Sequence, residues 1–538
     1  QRDPVTGELI LTVLSEGDEF LGYERWEDYG NYSTYLEGNI TYDQRFGNHS
    51  VSALLLYNQR NYDDGDQVPY RTQGFAGRAA YTYADRYIAE FNFGYNGSEN
   101  FAKGNRFGFF PSIAAGWIVS EEEFMRPVQS YINKLKLRAS YGLAGNDRFY
   151  NDDGSQKRFA YITTIGSTDG YKWGNSNAFY EKGGLREGDP GVESLTCETV
   201  KKANVGIELG LFKMAELQVD FFHERREDIF MQRKNIPSSA GFPSAPWANY
   251  GIVTNKGFDI SLDLNKQINK DWFISARASV TYAKNKIIEQ DEDLGVLGTY
   301  RSSTGKPVGQ IFGLVNDGLY TEADFEDVTT GKLKPGLPVP KFSDRVYPGD
   351  IKYVDFNGDG EITETDKTAI GGTVNPELVY GFGINLSYKN IDFGAFFQGN
   401  GRTYRIIGEN QKNFLPGSTI GAEGNIFTNA SDAWTVDNPS QDVFYPRLHM
   451  GYNANNAQVS DWWLKDMSML RLKNVELGYS FSKNLIKKAA MEYARIFVRG
   501  TNLLQFSKFD LWDPELNTSN GLKYPIMATY SIGLQVRF

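Results

Sequence analysis

The chain of 538 residues has no apolar run of the ~18 residues that a membrane-spanning helix needs, which excludes helical spans. It has one cysteine, Cys197, so no internal disulfide can form and no redox compartment follows. Only three histidines are present, and none of His49, His223 and His449 has a metal-ligand or nucleophile partner at useful spacing. The motifs H-E-x-x-H, G-x-S-x-G, G-x-G-x-x-G and the P-loop are all missing, so no catalytic constellation emerges and the chain reads as a non-enzyme. Acid pairs such as Asp152-Asp153 are too common in acidic loops to imply glycoside hydrolysis. Positive charge is in deficit, 56 Lys and Arg against 67 Asp and Glu, and the net charge of −11 argues against a nucleic-acid partner.

Aromatic residues are plentiful instead: 33 Tyr, 36 Phe and 9 Trp, many of them at the ends of alternating runs beside short turns, as in Tyr83-Ala84-Asp85-Arg86-Tyr87. A soluble β core is one home for them; an interfacial belt, where a ring is buried and its polar tip stays wet, is the other. The C-terminus favours the belt. Tyr530, Ile532, Leu534, Val536 and Phe538 fall on one face of a strand, and Ser531, Gly533, Gln535 and Arg537 on the other. A wholly apolar strand face invites aggregation unless covered, and lipid is the simplest cover.

The pattern recurs. Leu36 to Tyr42 and Val51 to Tyr57 flank a tight Gly47-Asn48-His49-Ser50 turn and read as a hairpin. Further pairs are 76–83 with 87–95, 200–212 with 216–230, 257–264 with 272–282, and 380–388 with 391–398. The last three runs are 470–481, 495–505 and 528–538. Each approaches the ~9–11 residues a tilted strand needs to cross a bilayer. Low mean hydropathy does not oppose this, because lumen-facing polar residues dilute every strand. The expected fold is therefore all-β, a transmembrane antiparallel β-barrel with about fifteen strands in this chain.

Short turns near 45–50, 84–86, 213–215, 267–271 and 389–390 alternate with long connections at about 144–195, 226–250, 287–376 and 401–466; a medium one with Glu121-Glu122-Glu123 lies at 120–130. In outer-membrane barrels short turns are periplasmic and long loops extracellular. An odd strand count and the impossibility of an open edge in hydrocarbon predict that the chain is the C-terminal part of a larger barrel. On that reading residues 1–30 are the remainder of an extracellular loop and residues 31–538 are barrel.

The longest connection holds a candidate calcium loop at 355–366. Asp355, Asn357, Asp359 and Asp366 supply side-chain oxygens at positions 1, 3, 5 and 12, Glu361 a carbonyl, and Thr363 a direct or water-borne ligand, with Gly360 at position 6. Asp at position 12, in place of the bidentate Glu of sensor loops, suits a structural site; the alternative is an acidic turn held by Asx hydrogen bonds. Trp173, Trp247, Trp434, Trp462 and Trp463 lie in loops where a ring can stack on a solute, pack the loop or meet a lid.

Several stretches together resemble the SusC/RagA family of TonB-dependent outer-membrane transporters. They are 105–112 (NRFGFFPS) with Gly116-Trp117 and 120–122, 135–142 (LKLRASYG) with Gly145-Asn146-Asp147, and 348–353 (PGDIKY) leading into the metal loop. Ile370-Gly371 with Asn375-Pro376, Phe396 to Gly399, Arg499 to Leu504 and the terminal strand complete the set. The resemblance implies a 22-stranded barrel in the bacterial outer membrane, with an N-terminal plug and first strands outside this chain. It also implies a SusD-like surface lipoprotein as partner, the TonB complex as energy source, and an oligosaccharide or oligopeptide as cargo. A non-transport barrel acting as adhesin or anchor, and a soluble calcium-stabilised glycan-binding β protein, are the competing readings. Tyr530 and Phe538 resemble the terminal aromatic signal read by the outer-membrane insertion machinery. Deleting Phe538 is therefore expected to lower the amount of assembled protein in membrane fractions while total synthesis, followed by immunoblot, is unchanged.

Overall fold

The computed structural model describes residue 6 and residues 30–63, 65, 68–151, 154–175, 178–408, 428–487 and 490–538. The expectation for 1–30 lies outside these apart from Thr6 and Gly30. One antiparallel sheet of 15 strands dominates, each strand bonded to its neighbour in sequence. The first six strands are β1 (Tyr32–Phe46), β2 (His49–Asp63), β3 (Tyr70–Tyr83), β4 (Tyr87–Ser98), β5 (Phe107–Ile118) and β6 (Ile132–Asn146). The next four are β7 (Glu198–Leu211), β8 (Ala215–Gln232), β9 (Trp247–Gln267) and β10 (Trp272–Glu289). The sheet ends with β11 (Leu378–Tyr388), β12 (Ile391–Gly401), β13 (Met469–Ser480), β14 (Tyr493–Ser507) and β15 (Thr529–Arg537). Among the described residues, the outer edges of β1 and β15 have no strand partner.

The strand count matches the sequence expectation, whereas the lengths exceed it. β8 runs for 18 residues and β9 for 21, so the connection expected at 226–250 shrinks to 233–246. Its alternation continues past the apolar stretch into polar residues, which is why hydropathy placed the ends too early. The other long connections shift by a few residues, to 147–197, 290–377 and 402–468.

Register assigns every strand the same two faces. Ile40 pairs with Leu55 and Leu55 with Gly77, while Val205 pairs with Phe221, Phe221 with Phe258 and Phe258 with Tyr282. Large apolar side chains on this face stay exposed, Ile40 at 73% and Ile532 at 78%, as a lipid-facing surface requires. Aromatic rings close the band at the short-turn end: Tyr83 stacks on Tyr87, Tyr87 on Trp117, and Trp272 leans on Tyr388. A second set marks the other side, with Tyr57 against Phe75 and Tyr95 stacked on Phe107. From Tyr87 to Tyr95 a strand rises about 26 Å, or about 20 Å along the normal of a barrel tilted by ~40°, close to the height of the apolar band of such barrels.

The two faces differ enough for a direct test. Val219→Arg, on the lipid side of β8, is expected to lose about 2–4 kcal/mol of folding stability in bilayers. Its neighbour Gln218→Arg, beside Asp220 on the lumen face of the same strand, should change stability by less than about 1 kcal/mol. Reversible urea unfolding in phospholipid vesicles measures both.

Candidate functional site

The face opposite the apolar band carries the charges, and they pair across strands. Arg78 of β3 meets Glu90 of β4 at 2.6 Å, and Arg138 of β6 meets Asp220 of β8 at 2.6 Å. Glu208 of β7 collects Lys134, Lys136 and Arg138 at 3.1–3.4 Å. Near the other end of the sheet, Arg495 of β14 binds Asp392 and Glu476, and Glu476 also binds Arg499. A wall of opposite charges in register is hydrated and offers hydrogen bonds to a polar solute. A cavity of ≈ 530 Å³ opens in this wall at the long-loop end. Glu224, Arg226, Asn255 and Asn285 line it from the strands, and Val308 and Pro376 cover it from the loop.

The connections 290–377, 402–468 and 508–528 condense into one small core above the strands. Leu314, Ile351, Tyr353 and Ile362 from 290–377 pack with Ile407, Tyr445 and Trp463 from 402–468 and with Phe509 from the last loop. Its centre is polar. Asp350 is fully buried and accepts from Tyr347 N (2.8 Å) and Asn456 Nδ2 (2.8 Å), with His449 Nε2 at 2.5 Å. Asn456 Oδ1 accepts from Ile351 N, Asn455 Nδ2 donates to the Ile351 carbonyl, and the Tyr353 hydroxyl donates to the Asn455 carbonyl. The motif 348–353 is therefore the half of a staple whose other half is Asn455-Asn456. Gly349 sits at φ +91°, and a Cβ there would meet the Trp434 ring at 2.3 Å, so glycine is required on two counts.

Two ion-paired clusters tie the long connections together and to the sheet. Asp291, just beyond β10, is opposed by burial, yet Arg233, Asn235 and the N–H groups of Lys234 and Asn235 hold its carboxyl down at about 2. Arg471 of β13, only 3% exposed, grips Asp513 at 2.5 Å and Glu515 at 2.9 Å in the last loop.

The loop 355–366 closes on itself. Asp355 Oδ1 and Oδ2 accept from Gly358 N (2.7 Å) and Gly360 N (2.9 Å); burial works against the anion, and these N–H groups keep its carboxyl below the usual range. Asn357 Oδ1 accepts from Asp359 N, Asp359 Oδ1 from Glu361 N, and the fully buried Asp366 from Phe356 N and Thr363 N. Glu361-Ile362 pairs in parallel with Val339-Pro340, and Thr363 caps the turn 364–366 by accepting from Thr365 N. Each carboxylate oxygen so used keeps a second lone pair, so the Asx bonding and a cation are chemically compatible. Among the described residues, no cluster of three or more His, Cys, Asp and Glu side chains has metal-holding geometry.

The five tryptophans separate. Trp434 and Trp463 are buried in the loop core, where Trp463 Nε1 donates to the Asn456 carbonyl, and half-buried Trp462 donates to the Phe444 carbonyl. Trp247 is not in a loop as expected but opens β9, because that strand extends past its apolar stretch, and it stacks on Phe230 at 4.6 Å in a second cluster with Phe101 and Phe149. Trp173 is 45% exposed on a hairpin of loop 147–197, flanked by Tyr171 and Tyr180. Tyr530 and Phe538 remain 75% and 80% exposed on the lipid side. Sequence reasoning missed Asp350, His449, Asn455 and Asn456, because their partners lie about a hundred residues away; the glycine before Asp350 was the available signal.

A sheet with one apolar, aromatic-edged face, one charged face and its loops gathered at one end is the wall of an outer-membrane-type β-barrel. Comparison with known proteins narrows this. No protein-family model matches the chain. It is 27% identical over 587 aligned positions to the TonB-dependent receptor P3 of Formosa agariphila, covering 99% of this chain and 55% of the relative. To the TonB-dependent receptor SusC of Bacteroides thetaiotaomicron it is 24% identical, covering 88% and 45%. Its fold superposes on the RagAB peptide importer in the closed-closed state with a TM-score of 0.70 at 22% identity, covering 94% of this chain and 55% of that one. The chain is a homologue of the SusC/RagA-type TonB-dependent receptors, and it spans about half the length of the curated relatives it matches.

Asn456→Ala removes two bonds to the Asp350-Ile351 segment and leaves a buried carboxylate short of a donor. The expected cost is about 2–4 kcal/mol of local stability. Amide exchange at 347–353 should accelerate accordingly while exchange in β6–β9 does not.

Proposed function

We propose that the chain forms barrel wall of a transporter that imports oligosaccharides or oligopeptides across the bacterial outer membrane, driven by the TonB complex. The observation that carries this reading is the division of the sheet into a lipid face and a continuous ion-paired face beneath the loop core. An anchor or adhesin needs the first; a hydrophilic solute path needs the second. The homology to TonB-dependent receptors supports the energy coupling. The fold of a peptide importer is compatible with a peptide cargo, and SusC-type relatives with a glycan.

On this reading the free edges of β1 and β15 pair with the remaining strands of a 22-stranded barrel, whose lumen holds a plug. A SusD-like lipoprotein covers the loop end, and exposed Trp173 with its flanking tyrosines meets the solute or the lid. The cavity under Val308 and Pro376 is a resting point for polar solutes. Loop 355–366 takes a structural calcium ion through Asp355, Asn357, Asp359, Glu361, Thr363 and Asp366, stiffening a connection whose closure entropy is otherwise large.

Two experiments separate the parts. Cells carrying the intact protein should accumulate fluorescent oligosaccharides or oligopeptides, and lose accumulation when the proton gradient is collapsed; gradient-independent accumulation overturns active import. Asp359→Ala is expected to lose one calcium per chain by elemental analysis and to expose 339–366 to protease, with the strands intact; unchanged calcium content removes the metal assignment.

A further inference from the structure

On the lipid side, the apolar band of β7–β10 ends abruptly at its long-loop border. Two residues beyond Phe221, Phe258 and Tyr282 the same face carries His223, Lys256 and Lys284, and these stand directly opposite one another across β8, β9 and β10. The next row holds Lys201 paired with Arg225, then Thr254 paired with Lys286. Parity places all of them on the outer face: their alternates Lys202, Glu224 and Asn255 point to the lumen, where Lys202 and Glu224 form their own ion pair at 3.1 Å.

This patch is under-neutralised. Glu227 serves both Lys201 and Arg225, at 2.5 and 2.6 Å, and Glu377 stands 3.8 Å from Lys284. Among the described residues, Lys256 and Lys286 have no carboxylate within ion-pair distance. Like charges set directly opposite each other destabilise a sheet pair, and Lys256 faces Lys284 in a chain whose net charge is −11. Cations concentrated against the prevailing charge, at one depth and on one face, call for an external anion. At that depth, immediately above the hydrocarbon, lie the head groups of membrane lipids, and basic clusters beside membrane spans hold anionic head groups at ~1 kcal/mol per Lys or Arg. Lysine side chains also reach upward from an apolar stem, which suits a phosphate just outside the acyl layer. A second copy of the chain is a poor occupant, because a two-fold contact sets lysines against lysines.

We propose that the outer face of β7–β10 binds a phosphorylated glycolipid of the outer leaflet, with Lys256, Lys284 and Lys286 contacting its phosphate and Lys201 and Arg225 at the border. The inference rests on the outer-membrane placement, which membrane fractionation reads separately.

The test uses the intact protein purified in detergent, with lipid A in mixed micelles and native mass spectrometry as the readout. Wild-type protein is expected to retain phosphorylated lipid A through detergent exchange, and Lys256→Gln/Lys284→Gln to weaken retention at least about tenfold. The charge-preserving Lys256→Arg/Lys284→Arg should retain it, and Lys202→Gln, on the lumen side, should leave retention unchanged. Equal retention of dephosphorylated lipid A, or equal retention by the glutamine variant, overturns the proposal. Displacement of the lipid by millimolar inorganic phosphate assigns the site to free anions, and a wild-type dimer that the glutamine variant dissolves assigns it to a second copy; either result also overturns it. Heat-modifiable migration on electrophoresis confirms that each variant is folded.

Discussion

Everything in this molecule depends on the fact that a peptide group in hydrocarbon has no water to bond. Each N–H and C=O must find a partner within the sheet, so the strands pair continuously from β1 to β15 and always with their sequence neighbours. Once the backbone is committed in that way, side chains have only two directions to point, and period-two alternation divides them between lipid and lumen. Ion pairs such as Arg138–Asp220 and Arg495–Asp392 follow from this geometry: within the depth of the hydrocarbon a charge on a strand can go only inward, and there it meets charges from neighbouring strands. The lumen wall is thus a by-product of pairing as much as a functional surface.

The loops obey a different economy. Loops of 88 and 67 residues cannot stay ordered on turn chemistry alone. They build a core of their own, and its buried centre is polar: Asp350, Asn455 and Asn456 tie segments distant in sequence by bonds that have only one satisfactory arrangement. Fully satisfied buried networks of this kind specify geometry more than they add stability, because a single missing partner is costly. On the proposed reading, in which this surface meets a solute or a lid, a fixed shape is the useful property. Arg471 ties that core to β13 through Asp513, and Asp291 ties the start of the longest loop to the segment that follows β8.

This contrast explains what was legible from sequence. Strand count, face identity and the alternation of short and long connections could be read because a strand writes its surroundings into consecutive residues. Tyr83 and Tyr87 announce a turn at an interface with no knowledge of the rest of the chain. The loop core could not be read this way, since Asn456 looks like any loop asparagine until Asp350 is brought against it. The tryptophans show the same limit: composition placed all five in loops, but burial of Trp434 and Trp463 and exposure of Trp173 depend on contacts a linear pattern does not carry. Loop 355–366 lies between the two cases, its spacing being local and its Asx bonding visible in both.

Register adds a level that neither hydropathy nor motif reveals. Lys256 and Lys284 are separated by a turn and by 28 positions of sequence, and each alone is an unremarkable strand lysine; only their direct opposition makes a charge problem. The sheet solves such problems inside by pairing, as at Glu208, where three cations share one carboxylate within a wall that holds further acids. Outside, the described residues of the sheet supply too few acids, and on the proposed reading the surrounding membrane supplies the counter-charge. A barrel strand therefore carries two kinds of electrostatic information: an inward set that is balanced by the protein itself, and an outward set at the band's edge whose balance requires a partner in the lipid.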